Sequence, residues 1–253
     1  MIFLLLRSLP LLAAISILFL SRWQFIAWRT FPLLYIASAL VFIVSAALIG
    51  YRRLAWREWI KVIPPVVTFL IAGGAALLVE SGSQQILFSL FVSGLAYLTL
   101  ELLYLLGVEP SKYPVHGLSR LNLALIPLGM FFLTMTLSGL QAFIRFPFWM
   151  SPFFGLAYGV LTFACTSHHT ADKEQNKRWL FMGGLVGLHA GIFAMILPLD
   201  VIASGVMAAL LFAFPFRARR YSHEPKPKRR SGLIEASLFL ACFFAVILFS
   251  RWA

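Results

Sequence analysis

Acidic residues are scarce in this chain, with nine Asp and Glu among 253 residues against 21 Lys and Arg. Charge of either sign makes up only 12% of the composition, where a soluble domain carries about a quarter. That excludes an ordinary water-soluble surface. Cysteine is nearly absent as well. Cys165 and Cys242 fall inside apolar runs on different predicted helices, so no disulfide framework and no Cys-x-x-Cys redox or metal pair is expected. No glycine-rich phosphate loop, paired Asp motif or HExxH segment occurs. This argues against an ATP-driven pump and against a zinc protease, but leaves open a secondary transporter, which needs none of these.

What the chain has instead is apolar bulk, 61% hydrophobic residues including 25 Phe. A soluble core of this length cannot hide so much apolar surface, whereas lipid solvates it. The net charge of +12 would point to nucleic acid in a soluble protein. Here the basic residues cluster between apolar runs and read as topology signals, so no nucleic-acid partner is expected.

The runs predict an all-α polytopic membrane bundle forming one membrane domain over residues 1–253. Nine spans are expected: Ile2–Leu20, Phe31–Gly50, Val62–Val79, Ile86–Leu106, Leu121–Ile144, Phe148–Thr166, Trp179–Leu197, Val201–Phe216 and Leu233–Ser250. Most approach the roughly 20 residues that a helix needs to cross about 30 Å of hydrocarbon. The count falls to eight if the first run lies on the surface. Arg7 followed by Leu9–Leu20 resembles a signal peptide, but no small-x-small cleavage site follows, so an uncleaved first span is expected. The runs are continuous and do not alternate, which excludes barrel strands.

Basic residues orient the spans. The loops after even-numbered spans hold 16 Lys and Arg, against 4 in the odd-numbered loops and the C-terminal tail. The positive-inside rule then puts the N-terminus inside and the C-terminus outside, as in a bacterial-type inner (plasma) membrane. Trp23, Trp28, Trp149, Trp179 and Trp252 at span ends fit aromatic belts. The loop 217–231 is expected to be flexible.

Charge inside a span is costly and is the first place to look for function. Glu101 lies in the fourth span near its inner end. Ser89, Ser93, Tyr97, Glu101 and Tyr104 fall within about 120° of one another around that helix, a polar stripe that should face the bundle interior or a wet cavity. Arg120 and Asn122 open the fifth span at the same level and are the expected partners of Glu101. Thr134, Ser138 and Gln141 form a second stripe, of the kind that glues membrane helices together. His189, mid-way along the seventh span, is placed to relay protons, to bind metal or to hydrogen-bond Thr134 or a carbonyl. Gly183, Gly187 and Gly191 recur every four residues on the opposite side of that helix. Gly155 and Gly159 in the sixth span match them, so these two spans are the expected close pair. Asp200 and Glu235 suit helix N-termini, as cap and dipole partner.

Two loops carry further candidates. His168, His169, Asp172 and Glu174 hold metal-type ligands, but metal sites need three or four that converge, and no metal or cofactor is assigned. Arg217, Arg219, Arg220, Lys228, Arg229 and Arg230 form a basic cluster suited to anionic lipid headgroups. Ser138 and His189 differ in depth by about 10 Å, which rules out a serine–histidine dyad. The expected function is therefore non-catalytic, as a small-solute carrier or a component of a membrane assembly. The alternative is an enzyme acting on lipid or a lipid-linked substrate at the cytoplasmic face through His168, His169, Asp172 and Glu101. The sequence leaves the oligomeric state open.

Overall fold

The computed structural model describes residues 2–51, 53–167, 173–196, 200–222 and 229–250, and among them every regular element is helical. A backbone in lipid must satisfy its own polar groups, and a helix does so within one segment. Five helices are long and apolar enough to cross a membrane: Leu5–Ile26, Phe31–Gly50, Trp56–Ala76, Gly82–Val108 and Gly117–Ile144. Met150–Thr166, Val201–Phe216 and Ile234–Phe249 are shorter apolar helices. The expected all-α architecture is what the chain adopts. The chain divides into two compact units, Met1–Leu125 and Ile126–Ala253.

The first unit holds α1 (Ile2–Ile26), α2 (Phe31–Gly50), α3 (Trp56–Ile60), α4 (Ile63–Ala76), α5 (Gly82–Val108) and the start of α6 (Gly117–Ile144). Helices α1, α2 and α5 pack mutually. Along α1 the buried positions are Pro10, Ala13, Ala14, Ile17, Ser21 and Gln24, spaced mainly by threes and fours, as one buried helix face requires. That stripe carries α1 past its expected end at Leu20. No Gly or Pro stops the helix there, so Ser21 and Gln24 become buried helix positions rather than loop.

The third span also starts earlier than expected, because α3 precedes the prolines. Pro64 and Pro65 stand in the first turn of α4, where a missing N–H is tolerated. Pro65 nevertheless leaves the Lys61 carbonyl without its helical donor, and Asn122 Nδ2 supplies one at 2.9 Å. The Tyr35 hydroxyl on α2 lies 2.6 Å from both the Phe69 and the Leu70 carbonyls of α4, which share its one proton. Gly73 makes room for it, since a Cβ there would collide with the Tyr35 ring.

The second unit holds the rest of α6 with α7 (Met150–Ser167), α8 (Lys173–Ile196), α9 (Val201–Ser222) and α10 (Arg229–Phe249). The close pair expected from the glycines is α7 against α8. A Cβ on Gly155 would strike the Gly187 carbonyl, and one on Gly159 the Gly183 carbonyl. Reciprocally, a Cβ on Gly187 would strike the Gly155 carbonyl, and one on Gly191 would come within 2.6 Å of the Ser151 carbonyl. The two backbones touch, as small residues allow in a membrane helix pair. Phe163 of α7 is fully buried and meets Phe212 and Phe216 of α9 edge-on.

The basic stretch after the eighth span is more helical than expected. Helix α9 runs through Ser222 and α10 begins at Arg229. Arg and Ala are good helix formers, and nothing in Arg217–Ser222 breaks a helix. Arg217, Arg219 and Arg220 thus lie on α9, and Arg229 and Arg230 on α10. Lys228 lies outside the described residues, as do His168, His169 and Asp172.

Candidate functional site

Two contacts fix how α1 lies on α5. Phe25 meets Phe88 edge-on at one end, with ring centroids 6.2 Å apart, and Arg7 meets Glu101 at the other. The helices are therefore antiparallel. The end at Arg7 and Glu101 is the one at which α2 runs out toward Arg53 and α5 toward Lys112, and it is called the basic end below.

At this end Arg7 Nη1 donates to Glu101 Oε1 at 2.5 Å. The guanidinium also lies 5.1 Å from the centroid of the buried Tyr104 ring, a cation–π contact. The Tyr104 hydroxyl donates to Glu109 Oε1 at 3.1 Å, and Lys112 Nζ lies 2.6 Å from Glu109 Oε2. A chain of polar contacts thus runs from Glu101 through Arg7 and Tyr104 to Glu109 and Lys112 in the turn after α5. Lys112, and after it the Tyr104 hydroxyl, hold the Glu109 carboxyl below its ordinary value of 4.5.

The expected pairing of Glu101 with Arg120 is therefore corrected. Arg120 is exposed, and the partner of Glu101 is Arg7, 94 residues away in the chain. The reason is topological. Asn122 and Thr68 both tie α6 to the α3–α4 segment, Asn122 through the Lys61 carbonyl and Thr68 through the Leu125 carbonyl, while α1 occupies the Glu101 face of α5. Asn122 is buried, but it works on the proline break rather than on the carboxylate.

The stripe on α5 is inward as expected, since Ser89, Ser93 and Tyr104 are buried and Tyr97 and Glu101 half-buried. Its two serine hydroxyls bond within α5 itself. Ser89 donates to the Gln85 carbonyl and Ser93 to the Leu90 carbonyl of their own helix. The second stripe behaves as helix glue in part: Gln141 Nε2 donates to Ser151 Oγ of α7 at 2.7 Å, and Thr134 donates to the Met130 carbonyl. The gap beside it, lined by Met130, Leu137, Gly155 and Gly191 among others, has no room for a water molecule.

His189 is exposed, and its Nδ1 donates to the Leu185 carbonyl of its own helix at 2.7 Å. Of the sequence expectations for this ring, the carbonyl bond is the one observed. Asp200 caps α9 as expected, its Oδ1 accepting from the Ala203 N–H at 2.6 Å. Among the described residues, no three His, Cys, Asp or Glu side chains converge.

Sequence reasoning missed Arg7 and Tyr35 as structural partners. Arg7 was legible through depth, because it lies about as far from the start of α1 as Glu101 does from the end of α5. Tyr35 had no signal beyond a phenol in an apolar run. Buried polar atoms without a hydrogen-bond partner also occur, among them Gln24 Oε1 and Asn122 Oδ1. A comparison with known protein families, curated proteins and solved structures finds no match to this chain.

Proposed function

We propose that the chain is a multi-pass integral membrane protein of the bacterial-type inner membrane that works without catalysis, as a component of a membrane assembly. Nine crossings, with the basic end at the cytoplasm, agree with the charge count across its loops. The observation that carries the assembly reading is the closed Arg7–Glu101 pair backed by Tyr104. A carboxylate that served a solute or a proton path would be free to change partners, whereas this one is engaged in joining α1 to α5.

A carrier for a small solute is the second reading. Gln24 Oε1 and Asn122 Oδ1 leave room for it, because among the described residues both are buried acceptors with no donor, which a polar solute reaches only where the helices part. Solute uptake and proton flux in proteoliposomes separate the two. Across a broad solute panel, the assembly reading expects equal, background-level flux for wild type and Glu101→Gln. A flux carried by wild type and lost in Glu101→Gln would replace it with the carrier.

A further inference from the structure

Arg7 has more hydrogen-bonding capacity than its contacts among the described residues use. A guanidinium carries five N–H donors in a rigid fork. One nitrogen donates to Glu101, and one face meets the Tyr104 ring. The side chain is still 51% exposed. Its same-face neighbour one turn along α1 is Leu11, which is 55% exposed on a helix apolar enough to cross a membrane. The open edge of Arg7 therefore faces lipid. Donors left bare in hydrocarbon are costly, and arginines in spans extend toward the nearest headgroup oxygens instead.

A second cation stands at the same end. Glu101, Tyr104 and Gly107 follow at three-residue steps along α5, and a Cβ on Gly107 would lie 3.6 Å from Arg53 Cβ. Arg7 and Arg53 thus stand against successive turns of α5, Arg7 against Tyr104 and Arg53 beside Gly107, and Arg53 is exposed. Among the described residues, the charged groups at this place are Arg7, Arg53 and Lys112 against Glu101 and Glu109, three cations to two carboxylates. The carboxylates are taken by Arg7 and Lys112, so Arg53 supplies the surplus charge. An anion with several acceptor oxygens satisfies both the surplus and the unused donors of Arg7.

We infer that Arg7 and Arg53 hold the phosphate of an anionic phospholipid from the leaflet at the basic end, from successive turns along α5. This site uses residues other than those of the basic cluster of α9 and α10, and it rests on the membrane reading above. The positive-inside orientation places it in the cytoplasmic leaflet, where anionic lipid is richest. The acceptor chemistry is that of a phosphate oxygen, which a lipid and free phosphate share; the lipid is favoured because the open edge of Arg7 lies beside Leu11 on an apolar helix.

The test uses the full chain in phosphatidylcholine nanodiscs, with and without a minority of phosphatidylglycerol, and phosphatidylcholine nanodiscs with inorganic phosphate. Thermal unfolding and retained lipid by native mass spectrometry are the readouts. Phosphatidylglycerol is expected to raise the wild-type Tm by about 2–4 °C and to be retained. Arg7→Gln should lose the rise and Arg53→Gln most of it. Glu101→Gln should keep or enlarge it, because it frees Arg7 while breaking the ion pair; this separates lipid binding from simple destabilisation even if Arg7→Gln fails to fold. Equal Tm in the two bilayers, an unchanged response in Arg53→Gln, or an equal rise from inorganic phosphate overturns the proposal. Release of the chain from membranes by alkaline carbonate would instead overturn the membrane reading itself.

Discussion

Asn122 reaches across from α6 to donate to the Lys61 carbonyl, the carbonyl that Pro65 leaves without a helical partner. One side chain thereby repairs a backbone defect on another helix, which is how membrane helices tolerate proline. The Asn122→Leu variant should lose about 1–3 kcal/mol, the cost of an unsatisfied buried carbonyl. Restoring the N–H with Pro65→Ala should recover much of that loss in the Asn122→Leu background and little in wild type. Unfolding in mixed micelles over the double-mutant cycle measures the coupling. Additive effects would show that the Asn122 bond and the proline defect are unrelated.

The glycine seam gives the second prediction. Gly159→Ala and Gly187→Ala each place a methyl against backbone of the facing helix, which cannot rotate away. Each should destabilise by about 1–3 kcal/mol, as overpacking does. Gly94→Ala in α5 is the control, because nothing lies within 4 Å of its Cβ position. There the better helix propensity of alanine should leave stability equal or slightly higher. Tm values in detergent compare the three.

The seam was legible in the sequence and the Glu101 pair was not, for a physical reason. Small residues at four-residue spacing specify both a face and the kind of surface that fits it, so Gly155 and Gly159 could be matched to Gly183 and Gly187 without coordinates. A lone carboxylate specifies only that a cation stands at its depth. Arg120 and Arg7 both met that condition, and nearness in the chain favoured the wrong one. The choice depended on whether α1 or α6 covers the Glu101 face of α5, which is a matter of packing rather than pattern. Asn122 was expected beside Glu101, whereas its target depended on the carbonyl freed by Pro65.

Tyr35 carries the third prediction. Its hydroxyl is the polar tie between α2 and α4, and Gly73 exists in the seat of its ring. Tyr35→Phe keeps the ring and should cost about 1 kcal/mol, a single hydrogen bond. Gly73→Ala should cost more, since it displaces the whole ring and the bond with it. A Tyr35→Phe loss as large as that of Gly73→Ala would mean that the hydroxyl, not the packing, holds α2 to α4.

Acid should weaken the turn after α5. Lys112 and Tyr104 lower the Glu109 carboxyl from 4.5 in the folded chain. A carboxyl depressed on folding contributes stability that is full above its unfolded value and is lost as pH falls through the folded value. Wild type should therefore lose Tm more steeply than Glu109→Gln once the pH drops below about 4.5, with the difference fading at molar salt because the group is open to solvent. Other carboxyls titrate in the same window, so the comparison between wild type and Glu109→Gln carries the result. Parallel curves would show that the Glu109 contacts contribute nothing to folding.

His189 supplies the last prediction, and it bears on function directly. Its ring is exposed and bonds only the Leu185 carbonyl of its own helix, so no neighbouring helix depends on it among the described contacts. A polar ring on an exposed face of an apolar helix is a cost unless something outside the chain uses it. If nothing does, His189→Leu should leave Tm unchanged or raise it by about 1–3 °C. His189→Gln should behave like wild type, since an amide can keep the local bond. A fall in Tm in the bilayer for His189→Leu, absent in detergent, would instead show that a membrane partner reads the imidazole. The closed pair at Glu101 would then no longer be the main guide to function.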